Sequence, residues 1–231
     1  MTPKPSFPRR DRRSLKEKRS AATRERLLEA ARRLFAQYGY DDVSVTEIAK
    51  EAGVTHAMIN AYFHSKAGLL YELISETYEQ HIARMEAAVD LPGTTAERMR
   101  HLINIVAESD LADPKILAII RSYSWQWPEE TEAANKDQLG RALAPIEQVL
   151  RDDPGLQGID DAQMADVLDS IFAIYTMGLR PALYAGASAD ECVDAILRRI
   201  MVLLDGAQLS LAREVSPQAA YPGRNGTAQA S

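Results

Sequence analysis

Apolar residues recur at helical spacing along most of the chain, and no stretch of any length alternates apolar and polar positions as a strand does. Leu27, Leu28, Ala31, Leu34, Phe35 and Tyr38 form one stripe that ends at Gly39. Ser44 precedes Glu47 at capping-box spacing and predicts a helix from Val45, with Ile48, Ala49 and Ala52 on its apolar face. Gly53 comes next, where a left-handed residue ends a helix most cheaply. Thr55 can cap the next helix, whose inner side is Met58, Ile59, Tyr62 and Phe63. Ser65 can cap a longer helix from Lys66 to Val89, and Leu91-Pro92-Gly93 breaks it. Thr94 and Glu97 mark another capping-box start, for a helix carrying Met99, Leu102, Ile103 and Val106. Further helices are predicted from Pro114 to Trp127, Pro128 to Leu150, Asp161 to Tyr184 and Ala189 to Arg213. The pattern predicts an all-α fold of about nine helices.

The two short helices around Gly53 read as a helix-turn-helix, a device that sets its second helix in the major groove of DNA. With the preceding stripe they form a trihelical unit of about fifty residues, too small for a self-sufficient core and expected to lean on later helices. Four segments are predicted. Residues 1–19, with Pro3, Pro5, Pro8 and seven basic residues from Arg9 to Arg19, read as a disordered arm that could lie along DNA. Residues 20–70 form the DNA-binding domain and residues 71–213 a helical body. Residues 214–231, rich in Ser, Pro, Gly, Gln and Ala, read as a disordered tail.

Net charge is −6, which alone argues against a nucleic-acid partner, but the distribution reverses that. Residues 1–70 hold 14 Lys and Arg against 8 Asp and Glu, while residues 71–231 hold 13 against 25. A basic head on an acidic body confines the attraction for phosphate to one end. The single cysteine, Cys192, excludes an internal disulfide and fits a reducing cytoplasm; it reads as a small buried hydrophobe. No apolar run approaches membrane-span length, and the basic N-terminus lacks the apolar core of a secretion signal. His56, His64, His81 and His101 show no metal spacing, and no HExxH, CxxC, GxxxxGK[ST] or GxSxG motif occurs. No catalytic residues, metal or cofactor are therefore expected.

The chain resembles the tetracycline-repressor (TetR) family. The resemblance is carried by Leu27-Leu28, Ala30-Ala31, Leu34-Phe35 and Gly39, then Ile48-Ala49, Ala52-Gly53-Val54, then Tyr62-Phe63, Ser65-Lys66 and Leu69-Leu70. It covers residues 22–72, about a fifth of the chain. It implies that Thr46, Thr55, His56, Ala57, Asn60, Tyr62 and Lys66 contact DNA. Thr55, His56 and Asn60 would face the bases, and Tyr62 and Lys66 the backbone. Two positions depart from the family pattern: Ala57 stands where glycine is common, and Asn60 where an aromatic is common. An asparagine can pair bidentately with adenine, so the operator of a relative need not be shared.

The resemblance further implies an effector cavity in the body, for which Met99, Ile103, Tyr123, Trp125, Trp127, Phe172, Tyr175 and Met177 are the expected lining. Their side chains suit an apolar or aromatic small molecule. It also implies a homodimer through the last two helices, with Ile171, Ile174, Ile196, Ile200, Leu203, Leu204 and Ala207 at the interface. The expected function is a cytoplasmic transcription regulator, a repressor released by its effector from a palindromic operator in double-stranded DNA. The alternatives are an activator of the same fold, or a helical small-molecule-binding protein without sequence-specific DNA recognition.

Overall fold

A computed structural model describes residues 9–123 and 127–215. Among the described residues the regular structure is helical: α1 Arg9–Tyr38, α2 Val45–Glu51, α3 His56–Phe63, α4 Lys66–Ala88, α5 Thr95–Asp110, α6 Pro114–Tyr123, α7 Glu129–Arg151, α8 Asp161–Gly178, α9 Arg180–Tyr184 and α10 Ala189–Val215, with a 3-10 turn at Pro154–Leu156. This is the expected all-α fold, with a helix-turn-helix near the N-terminus.

Two elements differ from expectation. Residues 9–19 are not a disordered arm but the first turns of α1. Beyond Pro8 the segment contains neither Pro nor Gly and is dominated by Arg and Lys, both good helix formers. Residues 1–8 and 216–231 lie outside the described residues. The helix expected over 161–184 divides into α8 and α9 at Leu179, because Pro181 has no N–H to donate and is accommodated in the first turn of a new helix.

The chain forms two compact units, Met1–Ala83 with Ser109–Arg141, and Arg84–Glu108 with Ala142–Ser231. The division does not follow the expected boundary at residue 70. In the first unit Leu27, Phe35, Ile48, Ile59, Phe63, Leu69 and Leu70 are buried in one core, and Ile116 and Ile120 of α6 complete it. A trihelical head cannot close its own core, so a later helix is recruited. In the second unit α8 packs on α10, and Gly178 makes the approach close: a Cβ there would overlap Ile196 Cγ1. Cys192 is buried in α10, in keeping with a small apolar role. No helix among the described residues is long and apolar enough to cross a membrane.

Candidate nucleic-acid interface

The helix-turn-helix is built locally. Ser44 Oγ accepts from the Glu47 backbone N–H at 3.2 Å, and the Glu47 carboxylate accepts from the Ser44 backbone N–H at 2.7 Å, so α2 starts with a reciprocal capping box. Those bonds hold the Glu47 carboxyl below its usual range. Gly53 takes φ +65°, turning the chain into α3. Val54 N–H closes the turn on Ala49 C=O at 2.9 Å. Ile59 and Phe63 bury one face of α3 and so fix which face is turned outward.

His56, Ala57 and Asn60 lie exposed on that outer face, within one turn of each other. Thr55 is exposed at the N-cap and its hydroxyl makes no capping bond, contrary to expectation, so it stays available at the amino end of α3. Thr46 is exposed at the start of α2. Tyr62 is partly buried, with its hydroxyl 3.0 Å from Ser20 Oγ of α1. α3 ends at His64, which takes φ +62°, a position to which the sequence assigns no role. Ser65 then caps α4 by accepting from the Gly68 backbone N–H at 2.9 Å.

Lys66 opens α4 and is partly buried, with its ammonium 4.2 Å from the Tyr40 ring centroid. Partial burial draws its pKa below the usual lysine value, while Asp41, Asp42 and Glu47 act in the opposite sense. Arg24 of α1 lies over the Phe63 ring at 5.7 Å and pairs with Glu72 of α4, tying the three helices together. Sequence reading misses Ser20, Arg24 and Tyr40, because no local signal says which residues pack beneath a contact residue. The structure leaves polar, donor-rich side chains on the exposed face of α3 and a cation at the following helix start. Such an arrangement can read base edges and hold phosphate.

The residues expected to line an effector cavity fall in different units. Tyr123 and Trp127 pack on the core of the first unit, where Trp127 meets Tyr71 edge-on at 6.2 Å. Trp125 lies outside the described residues. Met99, Ile103 and Tyr175 are buried in the second unit and Phe172 is partly buried, whereas Met177 is 62% exposed. A cavity of about 50 Å³ in the first unit is lined by Arg32, Thr77, Tyr78, Asp110 and Ile120 among others, and by none of these residues. Of the expected dimer residues, Ile171, Ile196, Ile200 and Leu204 are buried within the chain, and Ile174, Leu203 and Ala207 are partly buried. Among the described residues no group of three or more His, Cys, Asp or Glu could hold a metal ion.

Comparison with known proteins bears on the same segment. The family described as "Bacterial regulatory proteins, tetR family" matches residues 27–73, from the middle of α1 to the first turns of α4. The probable HTH-type transcriptional regulator YttP of Bacillus subtilis is 39% identical over 84 residues, 36% of this chain and 41% of that one. The fatty acid metabolism regulator protein of the same organism is 35% identical over 78 residues, 34% of this chain and 40% of that one. The chain thus spans about two fifths of the length of these curated relatives. The fold extends further: the transcriptional regulator FadR from B. subtilis, solved in complex with stearoyl-CoA, superposes with a TM-score of 0.61 over 79% of this chain and 98% of that one, at 24% identity. The helix-turn-helix geometry and the family match agree on one segment: residues 27–73 form a domain of the tetR type, and the helical fold beyond it is shared with solved regulators.

Proposed function

We propose that the protein is a sequence-specific DNA-binding transcription regulator, a homodimeric repressor released from a palindromic operator by a small-molecule effector. One observation carries the reading: His56, Ala57 and Asn60 stand exposed on α3, inside a segment that matches a family of DNA-binding regulators. Thr46, Thr55, His56 and Asn60 would meet the groove, and Tyr62 and Lys66 the backbone. A single α3 reads too few base pairs for useful specificity, so two copies on a two-fold site are physically required.

For the dimer the outward apolar side chains of α8 and α10 are the better candidates. Met177, Val202 and Leu209 are exposed, whereas Ile171, Ile196, Ile200 and Leu204 are already covered within the chain. For the effector, Met99, Ile103, Phe172 and Tyr175 favour an apolar molecule. The B. subtilis FadR structure, which shares the fold and was solved with stearoyl-CoA, makes that compound the first to try.

Selection of bound duplexes from a random pool tests the reading. A palindromic consensus of two half-sites about one helical turn apart is expected. Recovery of no shared sequence, with equal affinity for all duplexes, would overturn sequence-specific regulation. Stearoyl-CoA is then added to the complex with the selected duplex; release supports an acyl-CoA effector, and unaltered binding removes that class.

A further inference from the structure

Lys66 is held from beneath by residues that the DNA-binding reading does not use. Its ammonium lies over the Tyr40 ring, and that ring lies 4.4 Å from the Tyr123 ring at an interplanar angle of 48°. Phe35 supports Tyr40 from α1, with ring centroids 5.1 Å apart. The Tyr123 hydroxyl donates to the carboxylate of Asp41, the residue next to Tyr40. That bond favours the protonated phenol and moves its pKa up to about 12. Tyr123 therefore grips the Tyr40–Asp41 corner twice, by ring packing and by a charge-assisted hydrogen bond. It is the last residue of α6, which is seated on the head through buried Ile116 and Ile120 and through a bond from Lys115 Nζ to Ala36 C=O at 3.2 Å.

A lysine side chain has a flexible four-carbon stem, and holding it still when a partner binds costs affinity. Resting the ammonium on an aromatic face removes part of that freedom beforehand while leaving its outer side open to an anion.

We propose that Tyr123 is a positioning residue for the DNA contact: through Tyr40 it sets where the Lys66 ammonium stands, so the end of α6 is built into the phosphate-binding site. The proposal rests on the reading of Lys66 as a phosphate contact. It goes beyond that reading by assigning roles to Tyr40 and Tyr123, and it returns Tyr123 from the expected effector lining to the DNA-binding head.

The test compares binding of the full-length chain to the selected duplex for Tyr40→Leu and Tyr123→Ala, each with Lys66 present and again in a Lys66→Ala background. Lys66→Ala alone should lower the slope of log affinity against log salt by about one. Each ring variant should weaken binding about two- to fivefold when Lys66 is present and add nothing once it is alanine. Tyr40→Phe, which keeps the ring face, should bind as the parent does. Ring-variant losses that persist without Lys66, or an unaltered affinity of Tyr40→Leu, would overturn the proposal. A second arm needs no DNA. The Lys66 side-chain methylene protons should resonate upfield in the parent through the Tyr40 ring current, and Tyr123→Ala should move them back toward ordinary lysine values. An upfield shift unchanged in Tyr123→Ala would defeat the positioning role even if DNA binding fell. Should the parent bind no duplex at low salt, the DNA-binding reading fails by itself, and the ring-current arm still decides whether Tyr123 positions the lysine.

Discussion

Asn60 stands on the open side of α3 one turn from His56, where an amide can donate to and accept from a single adenine at once. If it does so, Asn60→Ala will cost about 1–3 kcal/mol at one base pair of the operator and leave the preference elsewhere intact. A mismatch series against the variant checks this; a loss spread evenly over all sequences would assign Asn60 to the backbone instead. Elsewhere in the first unit, the Glu79 carboxylate accepts from Arg141 Nη1 at 2.9 Å and from Gln138 Nε2 at 2.9 Å. Those bonds draw its pKa down from 4.5 to about 2. A depressed carboxyl pKa stabilises the fold above the unfolded value, and that contribution is lost as pH falls through the folded value. Arg141→Leu should therefore reduce the fall in thermal stability between pH 4.5 and 2, with only a small change per molecule because the pair is half exposed. An acid-stability curve parallel to the parent's would show that the pair contributes nothing there.

Among the helices and turns, two glycines stand where a side chain would cost stability, for opposite reasons. Gly53 has room for a methyl group, the nearest atom to an added Cβ being Arg26 Nη1 at 3.9 Å, but its φ of +65° is left-handed. Gly53→Ala should destabilise the head by about 1–2 kcal/mol through backbone strain alone. Gly178 presents the opposite case: its backbone is ordinary, but a Cβ would strike the branched Ile196 side chain on α10. Gly178→Ala should lower unfolding stability by about 1–3 kcal/mol through overpacking, and Ile196→Val should recover part of it when combined. Urea unfolding of the two single variants and the Gly178 double variant measures all three. No recovery in the double variant would mean that the close approach is relieved elsewhere.

Across the whole chain, the proposed function makes charge and self-association the quantities to measure. The excess of cations over residues 1–70 should make binding fall steeply with salt, although the protein as a whole is acidic. Paired substitution of Val202 and Leu209 by glutamate places two charges on an exposed apolar strip of α10 without touching the buried residues. Sedimentation should then show monomers with an unchanged helix content and a loss of operator affinity of at least about tenfold, as two half-sites are no longer engaged together. A dimer that survives the double substitution would move the interface elsewhere.

The helix-turn-helix is legible in the sequence because its signals act over a few residues. Ser44 and Glu47 cap each other across three positions, and Gly53 is placed by the turn it must make. The exposed side of α3 follows from Ile59 and Phe63 needing cover. The same local reading fails at Arg9–Arg19, where composition suggests disorder although the residues are good helix formers. It also fails at Leu179, where one Pro divides a long apolar pattern. Tyr123 shows the deeper limit. The resemblance implies an effector lining for it, but no local signal says what it packs against, and Tyr40, more than eighty positions earlier, supplies the answer.

The order of residues is enough to dictate the helical class, the ends of the short helices and the side of α3 that is turned to solvent, since each depends on neighbours within one or two turns. Three features exist only once the chain is folded: α6 completes the core of the head, Tyr40 and Tyr123 stand beneath Lys66, and some apolar residues of α10 are buried inside the chain while others stay exposed. Helical periodicity specifies that a face must be buried, while its burial partner is chosen by packing between segments far apart in the chain, where shape and volume rather than spacing discriminate.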